Sequence, residues 1–311
     1  MKKIKKIFVS FLVVILISAI STGTFIGNLL YDIILNPKIS KNIVYADNNS
    51  TQTRKDSSWL INESNYKDEY INSFDDLKLH AYVVENKIKT NKWAIVVHGY
   101  AGNGALMSAK AKYFYEMGYN VVIPDLRGHG QSEGDYIGMG WDDRLDIISW
   151  VNHIIEKNPK SEIALHGTSM GAATVLMASG ENLPSNVKAI ISDCAYTSVL
   201  DEFKYELKTF LNLSSFPLIN ITDLITMIRA GYSFKEASAI NQVKKARVPI
   251  LFIHGDRDKF VPYYMMNKLY EAANSPKEKL TVEGGEHANS DLMSPYLYWL
   301  TVRDFLDLYI Q

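Results

Sequence analysis

The chain has 311 residues, enough for one large α/β domain with additions or for two small domains, and its 47% hydrophobic and 22% charged content is ordinary for a globular protein. A net charge of -1, with Lys and Arg scattered rather than striped, argues against nucleic acid or another polyanion as partner. The one cysteine, Cys194, excludes an internal disulfide and any C-x-x-C metal or redox site.

Met1-Lys2-Lys3-Ile4-Lys5-Lys6 opens the chain, and no charged residue follows from Ile7 to Tyr31. About 20 apolar residues cross a bilayer as a helix, whereas a secretory signal needs roughly 7–15 in its apolar region. The length predicts a retained signal anchor over residues 1–36. Lysines on its N-terminal flank would keep that end in the cytoplasm and put the remainder outside the cell membrane. A cleaved signal and a secreted product are the alternative, with small residues near Ala19-Ile20-Ser21 or at Val44-Tyr45-Ala46. Residues 37–58 turn polar around Asn48-Asn49-Ser50-Thr51 and are expected to be a linker, too poor in apolar surface to order itself.

A folded unit over 59–311 is expected to begin near Trp59. Residues 69–73 and 77–84 suggest a hairpin turned across Asp75-Asp76, the second strand alternating as a half-buried strand does. Trp93-Ala94-Ile95-Val96-Val97 is apolar throughout, as in a strand covered on both faces. A helix is expected over 109–117, a strand over 120–124, a helix over 142–156, and then the strand Glu162-Ile163-Ala164-Leu165-His166. Further strands are expected over 187–191, 248–253 and 279–282, with helices at 172–178, 262–273 and 294–309. This alternation implies a mostly parallel sheet with helices on both faces. Between about 196 and 246 it breaks: apolar residues recur at helical spacing (Leu200, Phe203, Leu207, Phe210, Leu211) with no convincing strand. An insertion there would overhang the C-terminal edge of the sheet, where open α/β sheets bind ligands, and is a candidate lid.

Between the 162–166 strand and the 172–178 helix stands Gly167-Thr168-Ser169-Met170-Gly171, the G-x-S-x-G pattern of a nucleophile on a tight strand-to-helix turn. A serine hydroxyl is a weak nucleophile at neutral pH and needs a general base, itself oriented by a third group. Seven histidines compete. His80 and His153 lie inside regular elements, His98 and His254 end strands ahead of glycine, and His166 is too near in sequence to fold back on Ser169. His129, in Leu126-Arg127-Gly128-His129-Gly130, has the look of a structural loop. His287 remains, in Glu283-Gly284-Gly285-Glu286-His287-Ala288, after the last strand and on the same sheet edge as Ser169. An orienting acid is available twice in His254-Gly255-Asp256-Arg257-Asp258-Lys259-Phe260-Val261-Pro262, at Asp256 and at Asp258.

Together, His98 to Ala101, Asp125 to Gly134, Gly167 to Gly171, His254 to Pro262 and Gly285 to His287 resemble, in order and spacing, the motif series of α/β-hydrolase fold serine hydrolases. The similar branch is that of esterases, monoacylglycerol lipases and serine aminopeptidases. The resemblance implies an α/β-hydrolase fold with a helical cap and a triad of Ser169, Asp258 and His287, Asp258 being the acid because it matches His-Gly-x-x-Asp-x-x-Val-Pro. It implies an oxyanion hole made by the backbone N–H groups of Met170 and Tyr100, with no metal or organic cofactor required. The expected activity is hydrolysis of small-molecule or lipid acyl esters, with a peptidase or amidase as rival and a non-catalytic hydrolase-like membrane protein as the alternative from another class. Leu, Ile and Phe in the lid lean towards esters, and an acidic cluster placed to bind an α-amino group would favour the peptidase. Tyr100 is also expected to line the acyl pocket, and Cys194 to pack near the site without reacting.

Overall fold

A computed structural model describes residues 2–39 and 58–311. Its centre is an eight-stranded sheet in the order β1-β2-β4-β3-β5-β6-β7-β8. The strands are β1 (Lys67–Asn72), β2 (Lys78–Val84), β3 (Lys92–Val97), β4 (Asn120–Pro124), β5 (Glu162–Thr168), β6 (Val187–Asp193), β7 (Ile250–Gly255) and β8 (Lys277–Val282). β2 is antiparallel to both β1 and β4, and every later pairing is parallel. The continuous apolar runs of β3, β4 and β7 are buried along almost their whole length, as two covered faces require.

Two cores flank the sheet. Around one pack α4 (Asp143–Lys157), α5 (Met170–Ala178) and α9 (Tyr264–Ala272). The other holds α2 (Ser58–Asn62), α3 (Ser108–Glu116) and the closing helix α11 (Pro295–Asp307). Between β6 and β7 come α6 (Val199–Phe210), α7 (Leu218–Ala230) and α8 (Ala239–Val243). Within the stretch expected as a lid over 196–246, α8 packs on α5 and α9 as an ordinary sheet-covering helix.

The N-terminal segment forms α1 (Lys2–Leu35), whose Ser10–Leu35 portion is long and apolar enough to cross a membrane. Tyr31 and Leu35 are 2% and 0% exposed and sit in the main core, and burying a side chain the size of leucine contributes about 1.5–3 kcal/mol. Pro37, expected to begin the linker, is buried against Gly128. The rest of the expected linker, residues 40–57, lies outside the described residues. Helix α1 therefore continues into the packed body.

The loop after β4 is held by charge. Asp125 accepts from the Gly104 and Gln131 N–H groups at 2.7 and 2.9 Å and pairs with His80 at 2.7 Å. Buried Arg127 meets both oxygens of Asp146 at 2.8 Å and reaches Asp75. His129 is buried and donates from Nδ1 to the Arg127 carbonyl at 2.9 Å, the structural role its loop suggested.

Candidate active site

The turn from β5 into α5 is too tight for side chains on either flank of its serine. A Cβ on Gly167 would lie 2.1 Å from the Gly171 carbonyl oxygen, and one on Gly171 would lie 2.4 Å from that of Val97. Ser169 itself adopts φ 57° and ψ -120°, a conformation that L-residues rarely occupy and that surrounding packing must enforce. Its N–H donates to the Asp193 carbonyl at the end of β6 (2.8 Å), which anchors the strained turn to the neighbouring strand.

His287 reaches this serine from the loop after β8, with Nε2 2.8 Å from Ser169 Oγ. Its Nδ1 lies 2.8 Å from Asp258 Oδ2, so the proton sits on Nδ1 and Nε2 is free to accept the hydroxyl hydrogen. All four lone-pair directions of Asp258 are used. Oδ1 accepts from the Phe260 and Val261 N–H groups, both at 2.9 Å, and Oδ2 also faces His254 Nε2 at 3.2 Å. Burial would raise the Asp258 pKa, but the hydrogen bonds from His254 and His287 outweigh it and hold the group down at about 2. Asp256 instead accepts from the Gly284 N–H at 2.7 Å and braces the His287 loop.

His254, placed by the sequence as a turn-shaping residue at the end of its strand, has a second contact as well. It donates from Nε2 to the Val261 carbonyl at 2.9 Å as well as to Asp258, closing the loop that carries the acid. The other histidines are engaged elsewhere: His98 accepts from the Leu126 N–H at 3.0 Å, His166 meets the Tyr298 hydroxyl at 3.0 Å, and His153 meets Glu69 at 2.8 Å.

Met170 is the first residue of α5, so its N–H has no intrahelical acceptor and points out of the helix start. Tyr100 follows β3 directly after Gly99, whose Cα stands so close to Ser169 that a Cβ there would be 3.3 Å from the serine Cβ. The Tyr100 side chain lines the cavity and donates its hydroxyl to the Ile34 carbonyl of α1 at 2.6 Å. Cys194 is fully buried, with burial pushing its thiol pKa well up. Possible ligand atoms of Cys194, Asp258 and His287 lie within 4.8 Å of one another. A protonated thiol and a carboxylate whose acceptor positions are already taken make a poor metal-binding set.

Ser169 opens into a cavity of about 450 Å³ walled mainly by apolar side chains from three directions: Met139, Met170 and Val261 on the body, Phe203 and Leu207 on α6, and Leu30, Ile33 and Ile34 on α1. Two carboxyl groups interrupt this lining, Glu202 and Glu206, one turn apart on α6. Glu202 is 2% exposed, and neither of its carboxyl oxygens has a hydrogen-bond partner among the described residues. Burial, reinforced by repulsion from Glu206, Asp258 and Asp201, pushes Glu202 up to about 9, and burial pushes Glu206 up to about 7. Both were passed over in sequence. The available signal was two acids set beside Phe203 and Leu207 on a helix whose apolar face was expected to cover the site.

With this geometry described, similarity to known proteins becomes informative. Residues 93–215 match the model of the alpha/beta hydrolase fold family. The protein YqkD of Bacillus subtilis is 35% identical over 215 residues, 68% of this chain and 70% of that protein. The membrane protein YNL320W of Saccharomyces cerevisiae is 24% identical over 234 residues, 75% of this chain and 76% of that one. Among solved structures, the esterase Pf2001 of Pyrococcus furiosus superposes with a TM-score of 0.66 at 23% identity, over 84% of this chain and 96% of that chain.

Proposed function

The chain belongs to the alpha/beta hydrolase family, and from that premise we propose that it is a serine hydrolase of carboxylic esters acting through Ser169, His287 and Asp258. The observation that carries this reading is the unbroken chain of contacts, 2.8 Å from Ser169 Oγ to His287 Nε2 and 2.8 Å from His287 Nδ1 to Asp258, opening into a largely apolar cavity.

Ser169 Oγ attacks the acyl carbon while His287 Nε2 takes its proton. Asp258, ionised down to about pH 2, holds the imidazole in the required tautomer and stabilises the imidazolium. The N–H groups of Met170 and Tyr100 receive the oxyanion, and losing one such donor typically costs about 10²–10³ in rate. His287 then protonates the leaving alcohol. Water, deprotonated by the same histidine, releases the acid from Ser169. A fluorophosphonate probe should label the wild type and leave Ser169→Ala unlabelled; equal labelling of both would end the assignment.

The membrane reading of α1 belongs to the same proposal. Its uncharged stretch from Ile7 to Tyr31 exceeds the roughly 20 residues that a bilayer requires, and the lysines before it favour a cytoplasmic N-terminus with the hydrolase unit on the far side. Protease added outside intact cells should then degrade the hydrolase unit.

One observation favours a second reading, hydrolysis of amides next to a free α-amino group. Glu202 is a buried carboxyl with no partner among the described residues, in the same cavity as Ser169, and an ammonium group would supply the missing donor and draw out its proton. kcat/KM on acyl esters of increasing chain length, measured beside aminoacyl amides, separates the two. The amidase reading requires Glu202→Gln to lower amide turnover selectively.

A further inference from the structure

We propose that the last turns of α1 form one wall of the substrate cavity, making the N-terminal helix a specificity-determining part of the site that receives a long acyl chain directly from the bilayer. The inference rests on the ester-hydrolase reading above and deepens it.

The contact between α1 and the lid is built for close approach. Gly23, Gly27, Tyr31 and Leu35 recur every four residues and form one stripe along the helix. A Cβ on Gly27 would lie 2.7 Å from Ile221 and 2.9 Å from Ile225, so α7 lies directly on the helix backbone. One turn on, Arg229 pairs with Asp32 at 2.9 Å, donates to Asn28 at 3.1 Å and stacks on the Tyr31 ring at 3.9 Å. From the other side, the Tyr100 hydroxyl donates to the Ile34 carbonyl and the Leu35 carbonyl accepts from the Ile137 N–H at 2.8 Å. These bonds hold Leu30, Ile33 and Ile34 against the cavity that contains Ser169.

The order of these contacts also sets the depth of the lid. Gly23 and Gly27 meet Ile221, Gly27 meets Ile225, and Asn28 and Asp32 meet Arg229, so α1 and α7 run in the same direction. The polar cluster at Asn28, Asp32 and Arg229 marks the level at which α1 leaves the apolar phase. Ile221, which meets Gly23 and Gly27, stands eight residues before Arg229 on α7, about 12 Å nearer the bilayer centre on a helix rising about 1.5 Å per residue. At that end of the lid, Leu213 and Phe216 are exposed, as are Leu224 and Ile228 on the α7 flank. That is the composition with which amphipathic helices enter the headgroup and acyl boundary. An ester anchored in the same leaflet therefore meets the cavity at its own level, and its acyl chain passes between α1 and the lid without crossing water. Cleavage at either small-residue site considered in the sequence would sever this wall from its anchor or remove it.

The test uses the full chain in phosphatidylcholine vesicles and compares kcat/KM for a palmitoyl and an acetyl ester. Leu30→Trp fills the wall and Leu30→Ala thins it, and both should lower the palmitoyl-to-acetyl ratio, the former by about tenfold or more. Leu29→Trp, on the exposed side of α1, should leave the ratio within about twofold of wild type. An unchanged ratio in both Leu30 variants, or an equal fall in Leu29→Trp, overturns the wall. If the wild type cleaves no ester, the ester reading has failed by itself. The wall is then read from the rates at which hexadecyl and ethyl fluorophosphonates label Ser169, where Leu30→Trp must again depress the long-chain rate selectively, and its failure to do so overturns the inference.

Discussion

The elbow and the lid contact face each other across one cavity, and they are built on different principles. At Ser169 the backbone has no freedom: two glycines fit because nothing larger would, and each polar atom of Asp258 has its partner. Across the cavity, α1, α6 and α7 meet through apolar side chains and one small polar cluster, and Glu202 is left without a partner among the described residues. On the proposed reading, the chemistry sits on the rigid side and the choice of substrate on the adaptable one. A scaffold of this kind can change substrates by altering helices while its reaction stays the same.

The sharpest break in that contrast is on the rigid side. His287→Ala should lower kcat by about 10⁴-fold or more, and the double variant with Ser169→Ala should lose little further, because the two act as one unit. Additive losses in kcat would separate their roles. Next in size, Gly171→Ala drives a methyl group into the Val97 carbonyl at 2.4 Å. Fluorophosphonate labelling should slow by about 100-fold, since a displacement of about 1 Å at a nucleophile has that cost.

On the adaptable side the effects should be smaller and fall on stability. Gly27→Leu overpacks the contact with Ile221 and Ile225 and should cost about 1–3 kcal/mol, read as a lower Tm of the full chain. A Tm equal to wild type would mean that α1 and α7 are not held together. The remaining effect is the pH dependence that Glu202 imposes. Burial raises its folded pKa from 4.5 to about 9, so the folded chain keeps a proton that the unfolded chain releases in between. This lowers stability progressively as pH rises from about 4.5 towards 9. Glu202→Gln removes that slope. At pH 8 the variant should melt above wild type, with the gap closing near pH 4.5. A constant gap across the range would show that Glu202 does not titrate in the apolar cavity.

Much of this was legible in the chain because it is local. Strand and helix alternation follows from burial period, and the eight-stranded, mostly parallel sheet carries Ser169 and His287 to the same edge. Gly167 and Gly171 flank the serine for a steric reason that five residues suffice to express. Asp258 was distinguished from Asp256 by its motif, and the structure gives each a different local task, one bonded to His287 and the other to the Gly284 N–H.

Other features depended on partners distant in sequence. His254 read as a turn former, and its second contact, to Asp258, depends on how the loop after β7 closes. Glu202 and Glu206 carried no local signal of a role, because nothing local states which face of α6 lies over a cavity. The uncharged run before Tyr31 predicts an anchor by its length, with a cleaved signal as the alternative. Its last turns line the cavity because Gly23 and Gly27 fit the surface of an α7 nearly 200 residues later. The sequence alone determined the elbow, the order of the candidate triad and the alternation of the sheet, since short-range sterics and periodic burial govern these. Tertiary structure alone decided that α1 is a wall of the site, because that depends on the complementarity of two surfaces that only folding brings together.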